Sequence, residues 1–184
     1  MAEEDIKPGD MVLCRLNAPL VLPAFELIRR GVKAIIRGRD IGKNLLTLVN
    51  RVQRRTREFN YSRLLSAISE YVEREESKLR QLHKESQAAL LRDQLETIIA
   101  LSDGCYSVKD LETRINKVFS DDVEGVTFSS GHKSKGCESE RVFILQPELM
   151  GPGKRDKERW QIQESWNLKY VMLTRTKSEL YFVH

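Results

Sequence analysis

The stretch MVLCRLNAPLVLPAFELIRRGVKAIIRG, residues 11–38, carries the pattern of a strand, a helix and a second strand. Its first apolar run follows the turn residues KPGD and predicts a buried strand over 11–16. Asn17 is placed to cap a helix that ends at Gly31, with arginines in its last turn. The run VKAIIRG then predicts a second strand. The stretch therefore indicates a βαβ unit, which implies a parallel sheet and a right-handed crossover.

The middle of the chain is helical in pattern. Residues 39–57 repeat leucine and valine at helical spacing, with most basic residues elsewhere, and predict an amphipathic helix. Residues 61–101 contain neither proline nor glycine, so an almost continuous helical stretch is expected. Its charged centre, EREESKLRQLHKESQ, is expected to project into solvent. A further helix is predicted over 107–119, starting near Ser107.

The strand pattern returns in the last third of the chain. VTFSS and RVFIL predict two strands on either side of the loop GHKSKGCESE, residues 131–140. A helix over 161–177 and a terminal strand over 179–183 follow. We expect an α/β fold, a parallel sheet flanked by helices, with a helical insertion in the middle of the chain. The predicted division is residues 1–56 and 121–184 for the two parts of the α/β domain and 57–120 for the insertion.

Composition restricts the class of protein. The 184 residues suffice for one domain with a modest insertion, and 40% hydrophobic with 32% charged residues is typical of a soluble globular chain. No apolar run approaches the roughly 20 residues of a membrane span, so a cytoplasmic location is expected. Cys14, Cys105 and Cys137 lack CxxC spacing and are interpreted as reduced thiols. The net charge of +4 favours a nucleic-acid partner only modestly.

The loop 131–140 looks at first like half of a phosphate-binding P-loop. Gly131 and Gly136 have the right separation, but Cys137 and Glu138 stand where that motif needs Lys and then Ser or Thr. The segment GRDIGKN, residues 38–44, does not match the P-loop motif either. Its two glycines are one residue too close together, and Asn44 stands where the motif needs Ser or Thr. Singly, the lysines and histidine of the first loop are also typical of solvated loop residues, so their meaning depends on the rest of the chain.

Two segments together resemble the closing part of the UvrD/Rep-like DNA helicases of superfamily one. SSGHKSKGCESERVFIL is similar to that family's motif V, and QESWNLKYVMLTRTKSELYFV to its motif VI. The residues at matching places in motif V are Ser130, His132, Lys135, Gly136 and Glu138. Those in motif VI are Glu164, Leu168, Tyr170, Thr174, Arg175 and Leu180. The βαβ stretch also resembles the family, so the likeness covers about residues 8–52 and 124–184. The helical middle stands where larger relatives insert an accessory domain.

The resemblance implies a RecA-like fold and roles for particular residues. It implies that Arg175 is an arginine finger for the γ-phosphate of ATP and that Glu138 lies near the nucleotide ribose. Gly136 would let the backbone approach the nucleotide closely. The residues implied to contact single-stranded DNA are Ser130, His132, Arg15 and Asn17. ATP and Mg²⁺ would be bound jointly with a first RecA-like domain.

Departures from the family pattern limit what the chain does alone. Cys137 replaces a leucine and Ser139 an aromatic or acidic residue, both at packing positions. No P-loop and no acidic Mg²⁺-binding motif occur in these residues. We therefore expect an isolated chain without ATPase activity, which acts as the second motor domain beside a P-loop-containing domain of the same parent chain or of a partner. Two alternatives stay open: a stand-alone remnant that binds nucleic acid or protein, and a parent that also carries a nuclease.

Overall fold

The computed structural model of the protein describes residues 6–58, 60–120, 125–153 and 158–184. Helices and strands alternate at both ends of the chain, and four helices occupy its middle. The strands are β1 (Met11–Cys14), β2 (Ala34–Arg37), β3 (Phe119–Ser120), β4 (Val126–Ser130), β5 (Ser139–Leu145) and β6 (Thr176–Val183). The helices are α1 (Ala18–Arg29), α2 (Arg39–Thr56), α3 (Tyr61–Gln81), α4 (Glu85–Ser102), α5 (Val108–Val118) and α6 (Arg159–Leu173).

Five parallel strands form the sheet, in the order β2-β4-β1-β5-β6, and the two-residue β3 follows at the β2 edge. β1 lies at the centre, with Met11 level with Thr127 of β4 and with Val142 of β5. Its four residues are all buried, as is typical of a strand covered on both faces of a parallel sheet. The predicted α/β fold, a RecA-like parallel sheet flanked by helices, is confirmed.

The two crossover helices cover opposite faces of this sheet. The crossover through α1 leads from β1 to β2, and the one through α6 leads from β5 to β6 in the other direction along the sheet. Right-handed crossovers that run in opposite directions place their helices on opposite faces. The face under α6 is apolar. The residues of its core are Met11, Leu13, Val142, Ile144, Met150, Leu168 and Met172.

Residues of the chain group into two compact units. One consists of residues 1–38 and 120–184 and holds the sheet with α1 and α6, and the other is Arg39–Phe119 with the four middle helices. Helix α2 belongs to the second unit, where it packs against α3 and α5 through Leu45, Leu48, Val49 and Val52. The functional division at residues 56/57 and 120/121 stays a prediction.

The helical unit differs from its predicted form in two places. The stretch 61–101 is broken at residues 82–84, where His83 takes a φ of 56°, and α3 and α4 pack against each other on either side of the break. The charged centre also does not project into solvent throughout. Glu76 is buried and accepts hydrogen bonds from Arg80 and, at 2.8 Å, from Nε of Arg92. Two arginine partners make burial of that carboxylate tolerable.

The helix ends were predicted less well than the helices themselves. Ser107 caps α5 as expected, its Oγ accepting from the Asp110 amide at 3.1 Å. Asn17 precedes α1 but its side chain makes no capping hydrogen bond. Helix α6 stops at Leu173, so Arg175 lies in the turn before β6 and not within a helix. Among the described residues, no helix is long and apolar enough to cross a membrane.

The turn before β4 depends on a glycine, and we predict that Gly125→Ala strongly destabilises the chain. Gly125 has a φ of +98°, and an added Cβ would lie 2.1 Å from the carbonyl oxygen of Lys33. Gly9→Ala is the matched control, since Gly9 has a φ of +95° but no atom within 4 Å of the added Cβ. Backbone strain alone costs about 1 to 2 kcal/mol. In urea unfolding we expect Gly125→Ala to lose about 3 kcal/mol or more, and an equal loss in both variants would contradict the steric account.

Candidate functional site

The loop 131–138 runs the full height of the sheet. The loop leaves β4 after Ser130, which is level with Cys14 at the end of β1. It enters β5 at Ser139, three residues before Val142, and Val142 is level with Met11 at the start of β1. Six residue steps of a strand correspond to roughly 20 Å. One end of the loop therefore lies at the carboxyl edge of the sheet and the other at its amino edge.

The first half of this loop is a tight, hydrogen-bonded turn. The amides of Lys133 and Ser134 both donate to the carbonyl of Ser130, at 2.9 and 3.0 Å. The buried Ser134 hydroxyl donates to the carbonyl of Gly131 at 2.8 Å, and the Gly131 amide donates to Cys14 of β1 at 2.9 Å. These bonds satisfy the polar backbone of the turn and hold it on the sheet.

Helix α6 packs closely against the same turn. A Cβ added at Gly131 would lie 2.7 Å from Sδ of Met172 and 3.0 Å from Cδ1 of Leu168. The backbone of the turn is therefore in direct contact with the side chains that seat α6 on the sheet. A displacement of α6 cannot leave the turn unaffected, because the interface is close-packed.

The residues predicted to contact DNA gather at the carboxyl edge. His132 is exposed, whereas Ser130 is buried, with only 5% of the residue's surface exposed. Arg15, directly after β1, donates to the carbonyl of Gly151 at 3.0 Å and to Oγ of Ser165 on α6 at 2.9 Å. Asn17 begins α1 at the same edge. His132 and Arg15 are thus the predicted contacts that this structure presents with partly exposed side chains and a defined position.

Charge around His132 is mixed. Partial desolvation of the imidazole lowers the pKa of His132 below its ordinary value of 6.5, and the cations Lys135 and Arg15 add to the lowering. Glu164 on α6 opposes them and raises this pKa. His132 is therefore mainly neutral at neutral pH, able to donate one hydrogen bond and accept another. Glu164 was selected only as a residue matching motif VI, and its effect on His132 could not be inferred from the sequence.

The residues predicted to contact nucleotide lie at the amino edge. Gly136 has a φ of +79°, which side-chain-bearing residues rarely adopt, and both it and Glu138 are exposed. They border a recess of about 290 Å³. Its lining residues are Gly9, Asp10, Met11, Arg37, Gly125, Thr127, Gly136, Cys137, Glu138 and Ser139. Arg37 of β2 also lines this recess, and sequence reasoning missed it because only the folded sheet brings β2 near the loop.

Arg175 is bound to the end of the loop by backbone and side chain. Its Nη1 donates to the carbonyl of Cys137 at 3.3 Å, and its own carbonyl accepts from the Ser139 amide at 3.0 Å. Nε donates to the carbonyl of Val171 and Nη2 to Oγ1 of Thr174, at 2.8 and 3.1 Å. The half-buried guanidinium is thus fixed in place between the end of α6 and the start of β5.

The structure separates the predicted site residues into two groups. Ser130, His132, Arg15 and Asn17 lie at the carboxyl edge, and Gly136, Glu138 and Arg175 lie towards the amino edge. One loop connects the groups.

In the described ranges no three His, Cys, Asp or Glu side chains form a group that could hold a metal ion.

A parallel α/β sheet with this loop and helix arrangement defines a RecA-like domain. Comparison with protein families gives a match to the UvrD-like helicase C-terminal domain over residues 27–184. The chain belongs to that family and is a helicase motor domain. No curated protein gives a significant match to it.

The electrostatics of His132 give a testable prediction. An NMR pH titration of the imidazole should show a midpoint below 6.5, because the ring is partly desolvated. Glu164→Gln should lower the midpoint further, since it removes the carboxylate that favours the imidazolium form. Glu140→Gln, an exposed residue of β5, is the control and should leave the midpoint unchanged. A midpoint above 6.5, or a rise in Glu164→Gln, would contradict the assignment.

Proposed function

We propose that the chain is the second motor domain of an ATP-dependent DNA helicase or translocase, supplying an arginine finger and contacts to single-stranded DNA. The observation that carries the proposal is the double link between Arg175 and the loop 131–138, through Cys137 and Ser139. The same loop begins directly after Ser130 and carries His132 near its start, while its last residues contact Arg175. One short segment thus connects the candidate nucleotide contacts to the candidate DNA contacts.

The guanidinium of Arg175 suits an anion. Three of its five N–H groups donate within the described part of the chain, to Val171, Cys137 and Thr174, so two remain for an oxygen of a phosphate group. A planar, permanently charged and already oriented group needs little reorganisation to stabilise charge on a transferring phosphoryl group. Bound Mg-ATP would supply that phosphoryl group.

The recess at the amino edge supports a nucleotide contact of a different kind. The exposed Glu138 carboxylate can accept hydrogen bonds from ribose hydroxyls, and Gly136 lets backbone come close to a ligand. Arg37 adds a cation to the same lining. We assign Glu138 and Gly136 to the ribose side of the nucleotide and Arg175 to its phosphates.

The carboxyl edge supports contacts to a nucleic-acid backbone. His132 offers a neutral imidazole, and the Arg15 guanidinium is held by Gly151 and Ser165. Asn17 and Ser130 stay with this group as predicted contacts, although Ser130 is buried in this structure and its carbonyl already accepts from the amides of Lys133 and Ser134. Hydrogen bonds to phosphate and sugar carry no base readout, which suits a motor that passes over any sequence.

ATP hydrolysis by this arrangement requires a second domain that carries a P-loop. No segment of the pattern GxxxxGK[ST] occurs in the 184 residues, so the lysine and hydroxyl that hold the β/γ-phosphates and Mg²⁺ would come from a P-loop-containing RecA-like domain. We therefore propose that the chain alone does not hydrolyse ATP. Mg²⁺-dependent ATPase activity of the rigorously purified chain would contradict this.

For the arginine finger we predict that Arg175→Ala, in a motor joined to its P-loop domain, lowers ATP turnover by about 10³-fold or more. Nucleotide affinity should change only a few-fold, because the residue acts chiefly on the transferring group. Lys177→Ala is the control, since Lys177 is exposed on β6 two residues further along the chain. Turnover should be measured with saturating single-stranded DNA. Unchanged turnover in Arg175→Ala would remove the assignment.

On the DNA side we predict that His132→Ala weakens single-stranded DNA binding by about tenfold, the loss of one hydrogen bond to a charged group. ATP affinity should be unaffected, because His132 lies at the end of the loop opposite to the candidate nucleotide contacts Glu138 and Arg175. His184→Ala provides the control, as His184 is also exposed. Fluorescence anisotropy with a labelled oligonucleotide measures the difference. Equal binding by both variants would place the DNA elsewhere.

A further inference from the structure

The excess of positive over negative charge in the chain falls on one helical segment of the middle unit. Residues 39–57, α2 and the residue after it, contain six basic side chains and one acidic one. This formal charge of five exceeds the +4 of the whole chain, so the remaining residues are slightly acidic. The net positive charge of the protein therefore originates in the segment 39–57.

Three of these side chains form a row on the exposed side of α2. Lys43, Arg51 and Arg54 are all exposed, and they fall within about 80° of each other around the helix axis. The row is about 16 Å long. We call it the α2 basic face. The opposite side of the helix is buried through Leu45, Leu48, Val49 and Val52, which fixes the direction in which the row points.

The charges of the α2 basic face are not neutralised within the helical unit. In the described ranges Lys43, Arg51 and Arg54 have no ion pair with an acidic side chain. Arg55 differs, because its guanidinium lies 5.9 Å from the centre of the Tyr71 ring. Arg51 and Arg55 are also four residues apart, where like charges destabilise a helix. The helix keeps these charges although they repel each other.

The chemistry of α2 favours the phosphates of a duplex over a single strand. Proteins that hold single strands combine cations with aromatic rings on which bases stack. No Phe, Tyr or Trp occurs in α2. A rigid row of three cations can contact successive phosphates of a duplex, whose two strands together carry a charge about every 1.7 Å along the helix axis.

We propose that the α2 basic face binds the phosphate backbone of duplex nucleic acid. This is a second nucleic-acid surface, carried by the helical unit and distinct from the residues at the carboxyl edge of the sheet. Binding through Lys43, Arg51 and Arg54 is independent of sequence and sensitive to salt.

The test is a triple variant of the full chain, Lys43→Gln with Arg51→Gln and Arg54→Gln. Binding to a blunt DNA duplex of about 20 base pairs should weaken about tenfold or more, and the slope of log K against log salt should fall by about 2 to 3. Glutamine keeps the helix propensity of the replaced residues. The matched control is Arg63→Gln with Lys109→Gln and Lys117→Gln, which removes the same charge from exposed positions on α3 and α5.

Three outcomes would overturn the proposal. The first is unchanged duplex binding in the triple variant, with far-ultraviolet circular dichroism showing that both triple variants are folded. The second is an equal loss in the control, which would mean that only net charge matters. The third is an equal loss for a single strand of the same sequence, which would make the surface a single-strand site. His132→Ala in the same assay tests the carboxyl-edge contacts separately, so either proposal can fail without the other.

Discussion

The loop 131–138 and the end of α6 are held together at Arg175, and the arrangement of the site depends on that link. The guanidinium donates to the carbonyl of Cys137, and the Arg175 carbonyl accepts from the Ser139 amide where β5 begins. At the other end of the loop, Gly131 contacts Met172 so closely that a Cβ would not fit. Helix α6, the loop and Arg175 are therefore packed together so that a shift of one displaces the others. This packing is a physical basis for coupling between the two edges of the sheet.

Much of the fold could be predicted because its signals are local. The βαβ stretch 11–38 contains both strand patterns and the helix between them, and β1, α1 and β2 follow it closely. The break at His83 could not be predicted, since 61–101 contains neither proline nor glycine and the turn forms because α3 and α4 pack against each other. The burial of Glu76 likewise depends on Arg92, sixteen residues away on the next helix.

The candidate site was predictable where it rests on contiguous motifs and not where it rests on strand pairing. His132, Glu138 and Arg175 lie within motif-like segments, so a resemblance could select them. Arg37 lines the same recess as Glu138 only because the folded sheet brings β2 near the loop. Glu164 acts on His132 only because α6 packs beside the start of that loop. Burial of the Ser130 side chain was also invisible in the sequence, because a polar residue at a strand end is usually exposed.

The central claim is that Arg175 stabilises charge that develops during phosphoryl transfer. It is tested most directly by the affinity of the complete motor for ADP with aluminium fluoride, a mimic of the transferring phosphoryl group, compared with its affinity for ADP alone. We predict that Arg175→Lys loses most of the extra affinity for the mimic while its affinity for ADP stays nearly the same, since lysine keeps the charge but not the planar, anchored geometry. An undiminished preference for the mimic in Arg175→Lys and Arg175→Ala would contradict the account.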